Sequence, residues 1–130
     1  MNMDSVVHFE IPADDVGRAA SFYSDSFGWN CTPVEGMPYT MVQTGEMGEH
    51  HMPRDPGVIN GGMLQRREPI TSPVITIAVD DMDSALEKLA AAGGEVVKPK
   101  FPVGEMGFSA YFKDTEGNLL GLFQSRRPQG

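Results

Sequence analysis

The strongest constraint on this chain is an internal repeat at a constant offset of 66 residues. Asp14 and Asp15 map to Asp80 and Asp81, Ala19 to Ala85, Tyr23 to Leu89 and Gly28 to Gly94. In the first copy Val6-Val7-His8-Phe9-Glu10-Ile11 alternates with the period of a half-buried strand. Pro12-Ala13-Asp14-Asp15 supplies turn and N-cap chemistry, because a carboxylate accepts from the free amides of a first helical turn. Val16, Ala19, Ala20, Phe22, Tyr23 and Phe27 follow at helical spacing, and Gly28 fits the left-handed residue that stops a helix. The second copy runs Val74–Val79 as strand, Asp80-Asp81 as cap, Met82, Ala85, Leu86 and Leu89 as helix, and Gly93-Gly94 as stop. Two copies are too few for a solenoid and read as a duplication.

Short strands complete each copy. Trp29–Val34, Tyr39–Thr44 and Val58–Gln65 serve the first; Glu95–Lys98, Phe108–Lys113 and Asn118–Gln124 serve the second. Asp114-Thr115-Glu116-Gly117 predicts a hairpin turn between the last two. Each half is therefore β-α-β-β-β, as modules 5–66 and 73–125 of a single domain over 5–125, joined by residues 67–72. The prolines of Glu68–Pro73 predict an extended linker. Gly45–Pro56 is polar and charged and reads as a mobile loop.

With 130 residues, 40% of them hydrophobic and 22% charged, the chain can bury a real core as one domain. It holds no apolar run of the roughly 18–20 residues that cross a bilayer, so no membrane association is expected. Met1-Asn2-Met3-Asp4-Ser5 lacks the basic and apolar regions of a secretory leader, and a cytoplasmic location is expected. A lone cysteine, Cys31, cannot form an internal disulfide or a cysteine-rich zinc module, and reads as a small buried hydrophobe. The net charge of −8 argues against nucleic acid, because clustered cations are limited to Arg66-Arg67, Lys98 with Lys100, and Arg126-Arg127.

Val7-His8-Phe9-Glu10-Ile11 running into Arg18-Ala19-Ala20-Ser21-Phe22-Tyr23 and Phe27-Gly28-Trp29, and the closing Phe112-Lys113-Asp114-Thr115-Glu116-Gly117-Asn118, resemble the vicinal oxygen chelate superfamily. That superfamily includes glyoxalase I, extradiol dioxygenases, and fosfomycin- and bleomycin-resistance proteins. The resemblance covers roughly Ser5 to Gln124. It implies an α+β fold in which two tandem β-α-β-β-β modules form a cup-shaped mixed sheet, and a homodimer. Alternation then sends Val7, Phe9 and Ile11 toward the first helix and Ile75, Ile77 and Val79 toward the second. His8 and Glu10, with Val74, Thr76 and Ala78, face the other way.

Metal-dependent members of the family hold a divalent ion through positions that fall here on His8, Gly62, Val74 and Gly121. Only His8 carries a donor, whereas a competent site has three or four protein ligands, so no metal and no cofactor are expected. Glu10 and the loop residue His51 could join His8 in a set composed like a two-histidine, one-carboxylate site, although His50-His51 also reads as a solvated surface pair. Gly62 and Gly121 either open space for an organic ligand or permit close backbone approach.

His8 and Glu10 are the catalytic candidates, and are equally readable as a hydrogen-bonded polar pair in a wet cavity. Met41, Asn60, Gly62, Thr76, Tyr111 and Gly121 are the ligand-binding candidates. Tyr111 faces the cup or the helix according to register. Met37, Met41, Met47, Met52 and Met63 suit either a pliable pocket or ordinary filling. Trp29 reads as core or interface, and Gly104-Glu105-Met106-Gly107 resembles a loop that rims the family's cavity and could act as a lid. The expected partner is a small organic molecule, bound or transformed in a metal-poor cavity. The alternatives are a lyase or dioxygenase using a divalent metal on non-standard ligands, and a drug-sequestering protein of the bleomycin-resistance kind. The residues do not support glutathione-dependent glyoxalase I chemistry.

Overall fold

The computed structural model describes residues 3–49 and 53–126. Both helices begin where the repeat places them. Helix α1 spans Val16–Phe27 behind Asp15, whose carboxylate accepts from the Arg18 amide at 3.0 Å. Helix α2 spans Met82–Ala91 behind Asp81, which accepts from the amides of Asp83 and Ser84. In each case one oxygen satisfies amides that have no partner within the helix. Gly28 ends α1 at φ 71°. At the end of α2 the left-handed residue is Gly93 (φ 104°) rather than Gly94, so the second helix has 10 residues against 12.

The chain divides into two compact units. One is His8–Pro73, and the other joins the residues through Val7 to those from Val74 onward. The N-terminal unit holds β1 (Val6–Ala13, from His8 on), β2 (Asn30–Pro33), β3 (Thr40–Gln43) and β4 (Gly61–Gln65), in the order β2-β3-β4-β1. The C-terminal unit holds β5 (Val74–Ala78), β6 (Glu95–Val103), β7 (Gly107–Lys113) and β8 (Leu119–Ser125), in the order β5-β8-β7-β6. In each, the first strand pairs in parallel with the last and the remaining pairs are antiparallel. Helices beside mixed sheets make this an α+β protein, and the same plan twice is what the repeat demands.

The cores follow the alternation. Ala13, Val42 and Met63 are buried in the N-terminal unit, with Phe9, Val16, Ala19, Tyr23, Trp29 and Cys31 packed against them. Val79, Met82, Ala110, Phe112 and Leu122 are buried in the C-terminal unit, with Ile77, Ala85, Leu86 and Leu89 around them. Val7 and Ile75, expected beneath the helices, are instead 42% and 48% exposed. Each stands near the start of its strand, and the clusters begin only at Phe9 and Ile77.

One connection differs from expectation, and two others show specific contacts. Residues 67–72 are not extended: Arg67 and Ile70 exchange backbone hydrogen bonds, at 3.3 and 2.8 Å, and the turn buries the Ile70 side chain. Gly104–Gly107 is a tight β6–β7 turn in which the Arg126 amide donates to the Met106 carbonyl at 3.0 Å, so it is pinned to the end of β8. The flanks of the 45–56 loop are zipped, since Met47 bridges Pro53 and Arg54 pairs with Glu46 at 2.6 Å. By contrast the 114–117 turn forms as expected. The Asp114 carboxylate accepts from the Asn118 side chain and from the amides of Asn118 and Glu116, which holds it below its ordinary pKa.

Candidate functional site

In the N-terminal unit, pairing aligns Glu10 with Gly62 and Gly62 with Met41. Paired residues share a face, and side chains alternate along a strand. His8, Glu10, Gly62 and Met41 therefore lie together on the face opposite α1. The residue that organises this face is Tyr39. Its hydroxyl is hydrogen-bonded to His8 Nε2 at 2.8 Å, and the two rings are nearly parallel at 6.5 Å. A Cβ built on Gly62 would lie 1.8 Å from Tyr39 Oη and 2.0 Å from Cζ, so the phenol rests on the glycine backbone. The neighbouring Gly61 is covered from the other face by the Phe9 ring, 2.5 Å from a virtual Cβ. These glycines permit close approach, and the opening expected at Gly62 is filled by Tyr39. The sequence carried a signal for this: Tyr39 lies two residues before Met41 and so shares its face.

Glu10 is only 8% exposed. His8 is half-buried, and burial pushes its imidazole below the ordinary 6.5 while the Glu10 charge pulls it partly back. Burial therefore favours the neutral imidazole over the imidazolium. Asn60 is occupied with local structure, since its Oδ1 accepts from the Thr44 amide at 2.8 Å and its Nδ2 donates to Met47 Sδ at 3.0 Å. Met41 is 39% exposed, whereas Met63 is core, so the methionines form no single lining; Met52 lies outside the described residues.

In the C-terminal unit, Thr76 pairs with Gly121 and Gly121 with Tyr111, which sets all three on the face opposite α2 and fixes the direction of Tyr111. Thr76 and Tyr111 are buried. The Thr76 hydroxyl would meet a Cβ on Gly121 at 2.8 Å, so this glycine too is covered.

A divalent ion does not fit the family's four positions. Gly62, Val74 and Gly121 have no donor, and both glycines sit under side chains that would obstruct one. The only donor among them, His8, is engaged with Tyr39. Among the described residues no three His, Cys, Asp or Glu side chains gather as a metal site; His50 and His51 lie outside them.

Known proteins give the lineage. A family model described as bleomycin resistance protein-like N-terminal matches residues 5–45. A glyoxylase-like domain-containing protein of Didymella fabae is 36% identical over 112 residues, 84% of each chain. The chain belongs to the vicinal oxygen chelate superfamily. CFP32 of Mycobacterium tuberculosis, named as a candidate glyoxylase, is 32% identical over 126 residues, 93% of this chain. This chain spans 46% of that relative, about half its length. Among solved structures, Streptomyces coelicolor methylmalonyl-CoA epimerase in complex with 2-nitronate-propionyl-CoA superposes with a TM-score of 0.67 over 99% of both chains at 17% identity, which confirms the fold.

Proposed function

We propose that this superfamily member binds or transforms a small organic molecule with its own side chains rather than a resident ion. The observation that carries the reading is the hydrogen bond between His8 and a tyrosine seated on Gly62. In this reading Tyr39 donates to His8 Nε2. When a ligand proton passes to Tyr39 Oη, the phenol's own proton passes to Nε2, and the Glu10 carboxylate stabilises the resulting imidazolium. His8 and Glu10 are the acid–base residues and Tyr39 connects them to the ligand. Met41 is the ligand contact on this face, because Asn60 is held by Thr44 and Met47 and Gly62 lies beneath Tyr39. Elemental analysis of untagged protein is the test. Far less than one equivalent of Zn, Ni, Fe or Mn per chain is expected, and chelator should leave Tm unchanged. One tightly held equivalent overturns the reading.

The family-model match over residues 5–45 favours drug sequestration as a second reading. Saturable binding of bleomycin in a fluorescence titration, with the drug recovered unchanged, would support it. We also infer a cytoplasmic homodimer. Phe22 and Phe27 on α1 are 57% and 62% exposed, an apolar surface that a second copy would cover. Light scattering that reports a monomer at micromolar concentration would refute the dimer. None of the described helices is long and apolar enough to cross a membrane.

A further inference from the structure

Strand β6 contains a device that simple alternation would not produce. By period two, Lys98 and Lys100 should share a face and Phe101 should lie on the other. Two register shifts against β7 break that pattern, and Lys98 pairs with Tyr111 while Phe101 pairs with Ser109. Ser109 and Tyr111 lie two residues apart on β7 and share a face, so Lys98 and Phe101 both join Tyr111 on the face opposite α2. Lys100 goes to the helix side, where it lies 4.7 Å from the Phe108 ring and 3.4 Å from Asp83. Bulges of this kind recur where a side chain must be re-aimed.

The result is a three-tier stack. Lys98 Nζ sits 4.0 Å over the Phe101 ring, and Phe101 stacks on Tyr111 at 6.1 Å and 21°. Tyr111 is 9% exposed and is paired with Gly121, which is covered by the Thr76 hydroxyl. An exposed ammonium is thereby joined through two rings to buried hydroxyl-bearing residues on one face. Among the described residues no carboxylate lies within ion-pair distance of Lys98, although acidic residues outnumber basic ones by 18 to 10. An aromatic platform limits where the ammonium can sit, and its charge remains available to an anion.

We infer that Lys98, with Phe101, Tyr111 and Thr76, forms a subsite for the carboxylate of a small organic acid. This rests on the small-molecule reading above and narrows it to an anionic ligand. The carboxylate pairs with the ammonium, and the ligand's apolar body lies along Phe101 toward Thr76.

The test is an NMR titration of the full chain with benzoate, benzyl alcohol and benzylamine, which present one ring with an anionic, a neutral and a cationic group. Benzoate should shift the resonances of Thr76, Lys98, Phe101 and Tyr111 and bind more tightly than either analogue. Lys98→Gln should weaken benzoate by about threefold or more, as expected for one exposed charge pair. Lys98→Arg should retain binding, and Lys100→Gln, on the opposite face, should behave as wild type. Equal binding of benzoate and benzyl alcohol, or an unaltered Lys98→Gln variant, overturns the carboxylate subsite and leaves the small-molecule reading standing. If none of the three probes moves these resonances, the subsite falls together with the small-molecule reading of this face.

Discussion

Substituting Gly62 by alanine tests the central geometry directly. Gly62 does not adopt a positive φ, so alanine is conformationally allowed and any cost is steric. The new methyl would lie 1.8 Å from Tyr39 Oη and 2.2 Å from Cε2, well inside van der Waals contact. The obstacle is the far end of a flexible side chain, so Tyr39 swings away. That forfeits its hydrogen bond to His8, a net loss of about 1 kcal/mol. Repacking the displaced ring adds about 1–3 kcal/mol. Loss of glycine's freedom in the unfolded chain returns about 0.4–1 kcal/mol. Gly62→Ala should therefore destabilise by about 1–4 kcal/mol. In a Tyr39→Ala background the clash and the hydrogen bond are both absent, and the same substitution should be neutral or stabilising by up to about 1 kcal/mol. Urea denaturation of the four proteins yields a coupling energy between positions 39 and 62. Equal cost of Gly62→Ala in both backgrounds would show that Tyr39 does not rest on Gly62. Gly61→Ala supplies a contrast: its Cβ would strike the Phe9 carbonyl oxygen at 2.5 Å as well as the ring, and since backbone cannot swing aside, Tyr39→Ala should not rescue it.

His8 titrates below 6.5 in the native state because of burial, so the unfolded chain takes up its proton first as pH falls. Its contribution to stability is complete above about pH 6.5 and declines through the window beneath it. The drop in urea midpoint on acidification through that window should be smaller in His8→Gln than in wild type, and an equal drop would contradict the shift. Met63 and Met82 are fully buried in separate clusters, so each alanine variant should cost about 2–5 kcal/mol by chemical denaturation. Asp15→Ala and Asp81→Ala remove equivalent caps and should each cost about 1 kcal/mol, with Asn at either position retaining most of it.

Local signals were legible in the sequence wherever a single element sufficed to express them. Asp15 and Asp81 announce helix starts because capping needs only the residue and the next three amides. Period-two alternation placed His8 and Glu10 opposite Phe9, and the 66-residue offset gave the order of elements in both units. The family followed from those features together. What the tertiary structure decided were contacts between segments remote in sequence. Tyr39 reaches His8 across 31 residues only because β4 pairs with both β1 and β3 and brings Gly62 beneath the phenol. A glycine announces missing atoms, but its neighbour in space determines whether the gap is open or filled. Ile70 folds its prolines into a turn because burying its side chain offsets the loss of an extended path. Lys98 and Phe101 share a face because the strand slips against β7, and register between strands is a property of the pair that neither sequence segment encodes alone.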